Sequence, residues 1–296
     1  MIRVAVASTT FLLASCAVAP EGGGSAQIED RYADFGGVKI RYIDVGKGEP
    51  IVLLHGGTSN LEGWVRTGVV GNLSKDFRVI AFDARGAGKS SKPHDPKMYG
   101  RQQALDVPRL LDALGLQRAH IVGFSLGGST VAQLLTLHPE RFLTAVQVAA
   151  AGRSPKAAND PRIEKEAAEI EKGCISRSRL YRQAPPGRKP TEEDYLKREA
   201  ECRANPDFDQ RSTAASLRGY KDQAVTLEQM AAVKVPTLGI VGTLDHTLKE
   251  MQALKKARPD MKLVLLEGVS HTGPTGIQGQ PALVAEIRAF IASQRK

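Results

Sequence analysis

Residues 38–45 (Val-Lys-Ile-Arg-Tyr-Ile-Asp-Val) alternate apolar and polar positions, the period of a strand with one solvated face. Residues 51–54 differ: they form a continuous apolar run that ends in His55-Gly56-Gly57-Thr58, as a strand buried on both faces does. Comparable runs recur at 77–82, 119–123, 145–149, 237–241 and 263–266, and helix-length segments separate most of them. This alternation predicts an α/β fold with a mostly parallel central sheet and helices on both faces. Pro108 lies inside the otherwise helical stretch 102–114 and predicts a kink or a restart there.

After Gly152 the alternation stops. From Arg153 to about Met230 charges are dense, and apolar residues fall at helical spacing, as at Ile163, Ala167 and Ile170. This segment is expected to be a helical cap at 153–230, divided by a Pro-Pro-Gly turn at 185–187 and inserted into a core formed by 28–152 and 231–296. The length of 296 residues and the 42% apolar content suit one large core with such an insertion.

The first nineteen residues form a separate pattern, a basic start (Met1-Ile2-Arg3) followed by an apolar, small-residue run too short to span a bilayer. They read as an export signal at 1–19, with a glycine-rich flexible tether at 20–27. Two cleavage readings compete. Leu13-Ala14-Ser15-Cys16 resembles a bacterial lipobox, in which Cys16 becomes the acylated first residue and attaches the protein to a membrane. Ala17-Val18-Ala19 resembles an ordinary signal-peptidase site and gives a freely exported protein. The expected location is accordingly the bacterial periplasm or outer membrane, or the medium. Outside the cytoplasm Cys174 and Cys202 are candidates for a disulfide, with two buried thiols as the alternative.

A net charge of +9 draws the chain toward anionic surfaces, but its basic residues are interleaved with acids and no nucleic-acid-binding signature is present. Arg177, Arg179, Arg182, Arg188 and Lys189 concentrate positive charge in the cap, where they either form a solvated face or receive an anionic group. Gly88-Lys89-Ser90 imitates the end of a phosphate-binding loop, but Asp83 stands where that loop needs its first glycine. No paired histidines or Cys-x-x-Cys spacing is present, so neither metal nor cofactor is expected.

The chemistry is concentrated at Gly123-Phe124-Ser125-Leu126-Gly127, between an apolar strand and a helical stretch. A serine on such a strand-to-helix turn needs a small residue on either side, and its hydroxyl is then presented at a helix start. A serine hydroxyl is a weak nucleophile without a base, and the base needs a carboxylate to orient it. Asp245 follows the apolar run 237–241 and His271 follows 263–266, which gives the chain order serine, acid, histidine just beyond strand ends. The stretch 147–152 after the preceding strand holds no carboxylate, which leaves Asp245 as the acid. His55, His94, His120 and His138 lie upstream of those strand ends, and His246 is expected to diverge from its neighbour Asp245. Backbone N–H groups of Leu126 and Gly57, with Thr58 as the alternative to Gly57, are candidates for an oxyanion hole. Trp64 and Phe124 are candidates for apolar pocket surface, with plain core as the alternative for each.

Together His55-Gly56-Gly57, the Ser125 turn, Asp245, His271 and Asp83-Ala84-Arg85-Gly86-Ala87-Gly88-Lys89-Ser90 resemble the α/β-hydrolase fold family over nearly all of the chain beyond the signal. The resemblance implies a serine hydrolase, foremost a carboxylic-ester hydrolase acting on a small or medium ester or lactone. Aspartate is the usual nucleophile of the family's dehalogenases and epoxide hydrolases, so Ser125 argues against both. The alternatives are an aminopeptidase similar to proline iminopeptidases, against which Thr58 stands where proline is usual, and a non-catalytic binding or sensing protein.

Overall fold

The computed structural model describes residues 28–184, 187 and 189–295. The expected signal, Cys16, the tether, Arg188 and the prolines of the 185–187 turn lie outside the described residues. Eight strands form one sheet: β1 (Arg31–Asp34), β2 (Lys39–Val45), β3 (Pro50–Leu54), β4 (Arg78–Phe82), β5 (Ala119–Phe124), β6 (Phe142–Val148), β7 (Thr237–Gly242) and β8 (Lys262–Leu266). Their spatial order is β1-β2-β4-β3-β5-β6-β7-β8. The first two pairings, β1 with β2 and β2 with β4, are antiparallel, and the remaining five are parallel. All carboxyl ends of β3, β5, β7 and β8 therefore lie along one edge, where open α/β sheets carry their sites.

Two apolar layers cover the sheet. One holds Val52, Leu54, Ile80, Ile121 and the helices Arg101–Ala113 and Leu126–Leu137. The other holds Leu53, Val122, Val148 and Ile240 against the carboxy-terminal helix Pro281–Gln294. Three details depart from the sequence pattern. The apolar run at β8 is not buried on both faces, because β8 is an edge strand and Leu265 is 47% exposed. The edge strand β1 carries no alternation for the sequence to show, with only Ala33 of its four residues less than exposed. The helix Arg101–Ala113 runs without interruption through Pro108, whose ring is buried. Pro108 there lacks one N–H donor without ending the helix, because packing on the sheet supplies the stability that the lost bond removes.

Between β6 and β7 the described residues are helical, in segments including Pro155–Ala158, Arg162–Gly173, Arg177–Gln183, Glu192–Arg203 and Gln210–Arg218. Ala167, Ile170, Ala214, Leu217 and Tyr220 form a small core of their own, and Leu126 of the sheet layer packs against it. Cys174 and Cys202 are joined in a disulfide, with Cα atoms 6.2 Å apart. The helix Leu227–Ala232 leads back to β7 and packs against Leu126–Leu137 and Leu248–Ala257. Among the described residues no helix is long and apolar enough to cross a membrane.

Candidate active site

Ser125 stands between β5 and the helix Leu126–Leu137 with φ 53° and ψ −113°, a conformation that costs a non-glycine residue roughly 1–3 kcal/mol. Its surroundings impose it. The Ser125 N–H donates to the Val148 carbonyl (2.9 Å), and the Ser125 carbonyl accepts from the Ser129 N–H (3.0 Å). A Cβ on Gly123 would overlap the Gly127 carbonyl, and one on Gly127 would overlap the Leu54 carbonyl. Only glycine at both places lets helix and strands close to this distance. The hydroxyl of Ser125 is thus held on a sharp turn at the start of a twelve-residue helix.

The other two residues arrive from the neighbouring strand ends. Asp245 follows β7, His271 follows β8, and the His271 ring lies between the serine and the carboxylate. Its Nδ1 is 2.8 Å from Asp245 Oδ2, and its Nε2 is 2.9 Å from Ser125 Oγ. Asp245 is buried, and its Oδ1 accepts from the Thr247 N–H and hydroxyl, both at 2.8 Å. Burial alone would raise the acid's pKa, but the hydrogen bonds from His271 and Thr247 outweigh it and hold the carboxyl below its usual value. An ionised Asp245 requires the proton of His271 to sit on Nδ1. Nε2 is then free to accept from the Ser125 hydroxyl.

Two rings fix the imidazole sideways. Phe124 packs at 5.0 Å between centroids, and His246 at 4.4 Å. The expected divergence of His246 from Asp245 is corrected here: its Nδ1 lies 3.6 Å from Asp245 Oδ1 and its ring turns onto His271. Burial first, then the charges of His271, Arg182 and Arg179, push the pKa of His246 down to about 4, so this ring is neutral near pH 7. Asp245, His246 and His271 form a group whose ligand atoms lie within 4.8 Å of one another, close enough to hold an ion. Both nitrogens of His271 are already engaged by Asp245 and Ser125.

The glycine loop after β3 borders the serine. A Cβ on Gly56 would stand 3.4 Å from Ser125 Cβ, and one on Gly57 would stand 3.7 Å from Leu126 Cδ2. Gly57 and Leu126, the two expected amide donors, are therefore neighbours beside Ser125. Thr58 has φ 56°, and its hydroxyl donates to the Gly57 carbonyl at 2.7 Å. Trp64 is a second correction. It was expected at a pocket wall but is completely buried, packed edge-on behind Phe124 at 6.5 Å. Phe124 is itself buried and supports the His271 ring.

The remaining motif residues are scaffold. His55 Nε2 accepts from the Ala84 N–H (3.0 Å) and its Nδ1 meets the Gly56 carbonyl (2.7 Å), which ties the ends of β3 and β4 together. Asp83 accepts from the N–H groups of Leu61 and Lys89, each at 2.8 Å, and Arg85 pairs with the buried Asp106. His94, His120 and His138 contact Asp209, Thr144 and Glu140, away from Ser125.

The cap helix Arg177–Gln183 brings one residue to the site: Arg179 Nη2 would lie 3.5 Å from a Cβ on Gly57. Arg153, just past β6, lies with its guanidinium 3.6 Å over the Tyr220 ring.

This architecture is the α/β-hydrolase fold. Residues 49–169 match the family described as the alpha/beta hydrolase fold. Over 136 residues the chain is 35% identical to a 2-hydroxy-6-oxo-6-(2'-aminophenyl)hexa-2,4-dienoic acid hydrolase of Metapseudomonas resinovorans, covering 45% of this chain and 46% of that protein. It is 37% identical over 120 residues to a fluoroacetate dehalogenase of Burkholderia sp, 39% of each chain. The chain thus aligns with less than half the length of these curated relatives. The crystal structure of the enol-lactonase from Burkholderia xenovorans LB400 superposes with a TM-score of 0.70 at 28% identity, covering 88% of this chain and 100% of that one. The chain has the α/β-hydrolase fold, and the proteins compared are by name a hydrolase, a dehalogenase and an enol-lactonase.

Proposed function

We propose that the protein is a serine hydrolase that cleaves small or medium carboxylic esters or lactones through an acyl-enzyme on Ser125. The observation that carries the reading is the His271 ring, bonded to Asp245 on one nitrogen and to Ser125 on the other. In this mechanism Ser125 Oγ attacks the carbonyl carbon while His271 Nε2 takes its proton, and Asp245 stabilises the imidazolium that results. The oxygen that gains the negative charge is received by the amides of Leu126 and Gly57, at the positive end of the helix Leu126–Leu137. His271 then gives its proton to the departing alcohol oxygen, and afterwards activates the water that releases the acid. The lactonase and acid-hydrolase names of the similar proteins agree with acyl chemistry of this kind.

Purified protein should hydrolyse p-nitrophenyl esters or lactones, and Ser125→Ala should lose roughly three or more orders of magnitude in turnover. A fluorophosphonate probe should label wild type and not the variant. Turnover that survives the substitution would overturn the mechanism.

The same proposal places the enzyme outside the cytoplasm, anchored through an acylated Cys16. The lipobox-like Leu13-Ala14-Ser15-Cys16 and the Cys174–Cys202 disulfide support that compartment. Metabolic labelling with a radioactive fatty acid should mark the protein and fail with Cys16→Ala; label retained by that variant would sink the anchor.

A further inference from the structure

Three guanidinium groups, from Arg153, Arg179 and Arg182, lie between the cap and the carboxyl edge of the sheet. Only one has a carboxylate: Arg182 Nη2 reaches both oxygens of the buried Glu166, at 2.7 and 3.0 Å. Among the described residues no carboxylate pairs with Arg153 or Arg179. Arg153 Nε is buried without a hydrogen-bond partner, its guanidinium stacked on Tyr220. Burial would raise the pKa of the Tyr220 hydroxyl, yet the positive charges of Arg179 and Arg153 together draw it below its usual value. Both charges therefore bear on one small volume. Arg179 Nη2 borders Gly57, and its charge also reaches His246, which lies on His271. A half-buried guanidinium pair without an anion is costly, and its planar donors match a carboxylate.

We propose that Arg153 and Arg179 receive a carboxylate of the substrate, so that the enzyme's preferred substrates are esters or lactones that carry a free carboxylate close to the scissile bond. This inference deepens the serine-hydrolase reading and rests on it. The charge on the substrate would complete the arginine pair as the carbonyl settles over Ser125. Tyr220 is a positioning residue, holding Arg153 by its ring.

The test compares mono-4-nitrophenyl glutarate with neutral 4-nitrophenyl butyrate. Wild type should favour the anionic ester by about tenfold or more in kcat/KM. Arg179→Gln should reduce that ratio by about tenfold to a hundredfold, chiefly through KM of the anionic ester, and Arg179→Lys should restore part of it. Arg179 is only half-buried, so this substitution is the less disruptive of the pair. A wild-type ratio near one overturns the proposal. So does an equal loss on both esters in Arg179→Gln, which would place Arg179 on the oxyanion instead. Failure of the hydrolase reading looks different: neither ester turns over and Ser125 stays unlabelled by fluorophosphonate. Titration calorimetry with glutarate then decides for the arginines, since binding that weakens in Arg179→Gln supports the receptor and absent binding overturns it.

Discussion

At the scale of single residues, the strained backbone of Ser125 depends on what its neighbours lack. A methyl group on Gly127 would meet the carbonyls of Leu54 and His55, backbone atoms that move only if β3 and the helix Leu126–Leu137 separate. Gly127→Ala should therefore cost about 1–3 kcal/mol or more in urea unfolding, and fluorophosphonate labelling of Ser125 should fall with it. An alanine variant of full stability and full labelling would show that the elbow tolerates a looser fit. Arg85 and Asp106 make a second demand, since both are almost fully buried and joined by paired hydrogen bonds at 2.5 and 2.7 Å. Arg85→Ala would leave the buried Asp106 carboxylate with only its longer contact to Arg109 (3.2 Å), and a loss of about 3 kcal/mol is expected in the same measurement. Ser125, Asp245 and His271 were legible because each follows an apolar run that a sheet buries, and sheet order then brings the three ends together. His246 was not, because the direction of a side chain next to a turn aspartate depends on the φ/ψ of that turn, which residue type alone does not set. Trp64 was open between pocket and core because apolar character says that a side chain is covered, not whether a ligand or a core covers it.

At the scale of elements, the cap is held by polar and covalent ties more than by its small apolar core. Glu169 accepts from the Ser176 hydroxyl (2.7 Å), the Ser178 N–H (3.0 Å) and the Ser178 hydroxyl (2.6 Å), which fixes the start of the helix Arg177–Gln183. Cys174 lies three residues before that start, and its bond to Cys202 closes a sequence separation of 28. Loop-closure entropy gives the bond about 3–4 kcal/mol, and the helix that presents Arg179 and Arg182 lies within the loop that it closes. Cys202→Ser should accordingly lower the urea midpoint and speed proteolysis within the cap, while reductant should change wild type and leave the variant unaffected. A variant that unfolds at the wild-type midpoint would show the bond to be energetically idle. The helical character of this region was readable from its spacing, β2 from its alternation and the six strands β3 to β8 from their apolar runs. What escaped was β1, whose Arg-Tyr-Ala-Asp is mostly exposed and gains strand form only by pairing with β2. Of the two outcomes expected at Pro108 the restart does not occur, since the helix is continuous through the buried ring.

At the scale of the whole molecule, the buried histidines couple folding to pH. His55, His120 and His246 all have pKa values lowered first by burial, the last to about 4. An unfolded histidine titrates near 6.5, so between about pH 6.5 and the lower folded values the unfolded chain binds more protons than the folded one. Stability must then fall as pH drops through that window. Below it, Asp245, whose folded pKa is depressed, adds a further loss as it becomes protonated. The net charge of +9 grows as carboxylates are neutralised and adds self-repulsion of the same sign. Salt separates the two contributions, since it screens repulsion between exposed charges but leaves the desolvation of a buried imidazole largely in place. We therefore expect the urea midpoint to decline from pH 7 to pH 5 even in high salt, and His246→Asn to decline less over that interval because one of the three groups is gone. A wild-type midpoint that stays level between those pH values in high salt would mean that water or local opening reaches these rings, and that their burial does not set the acid limit of the fold.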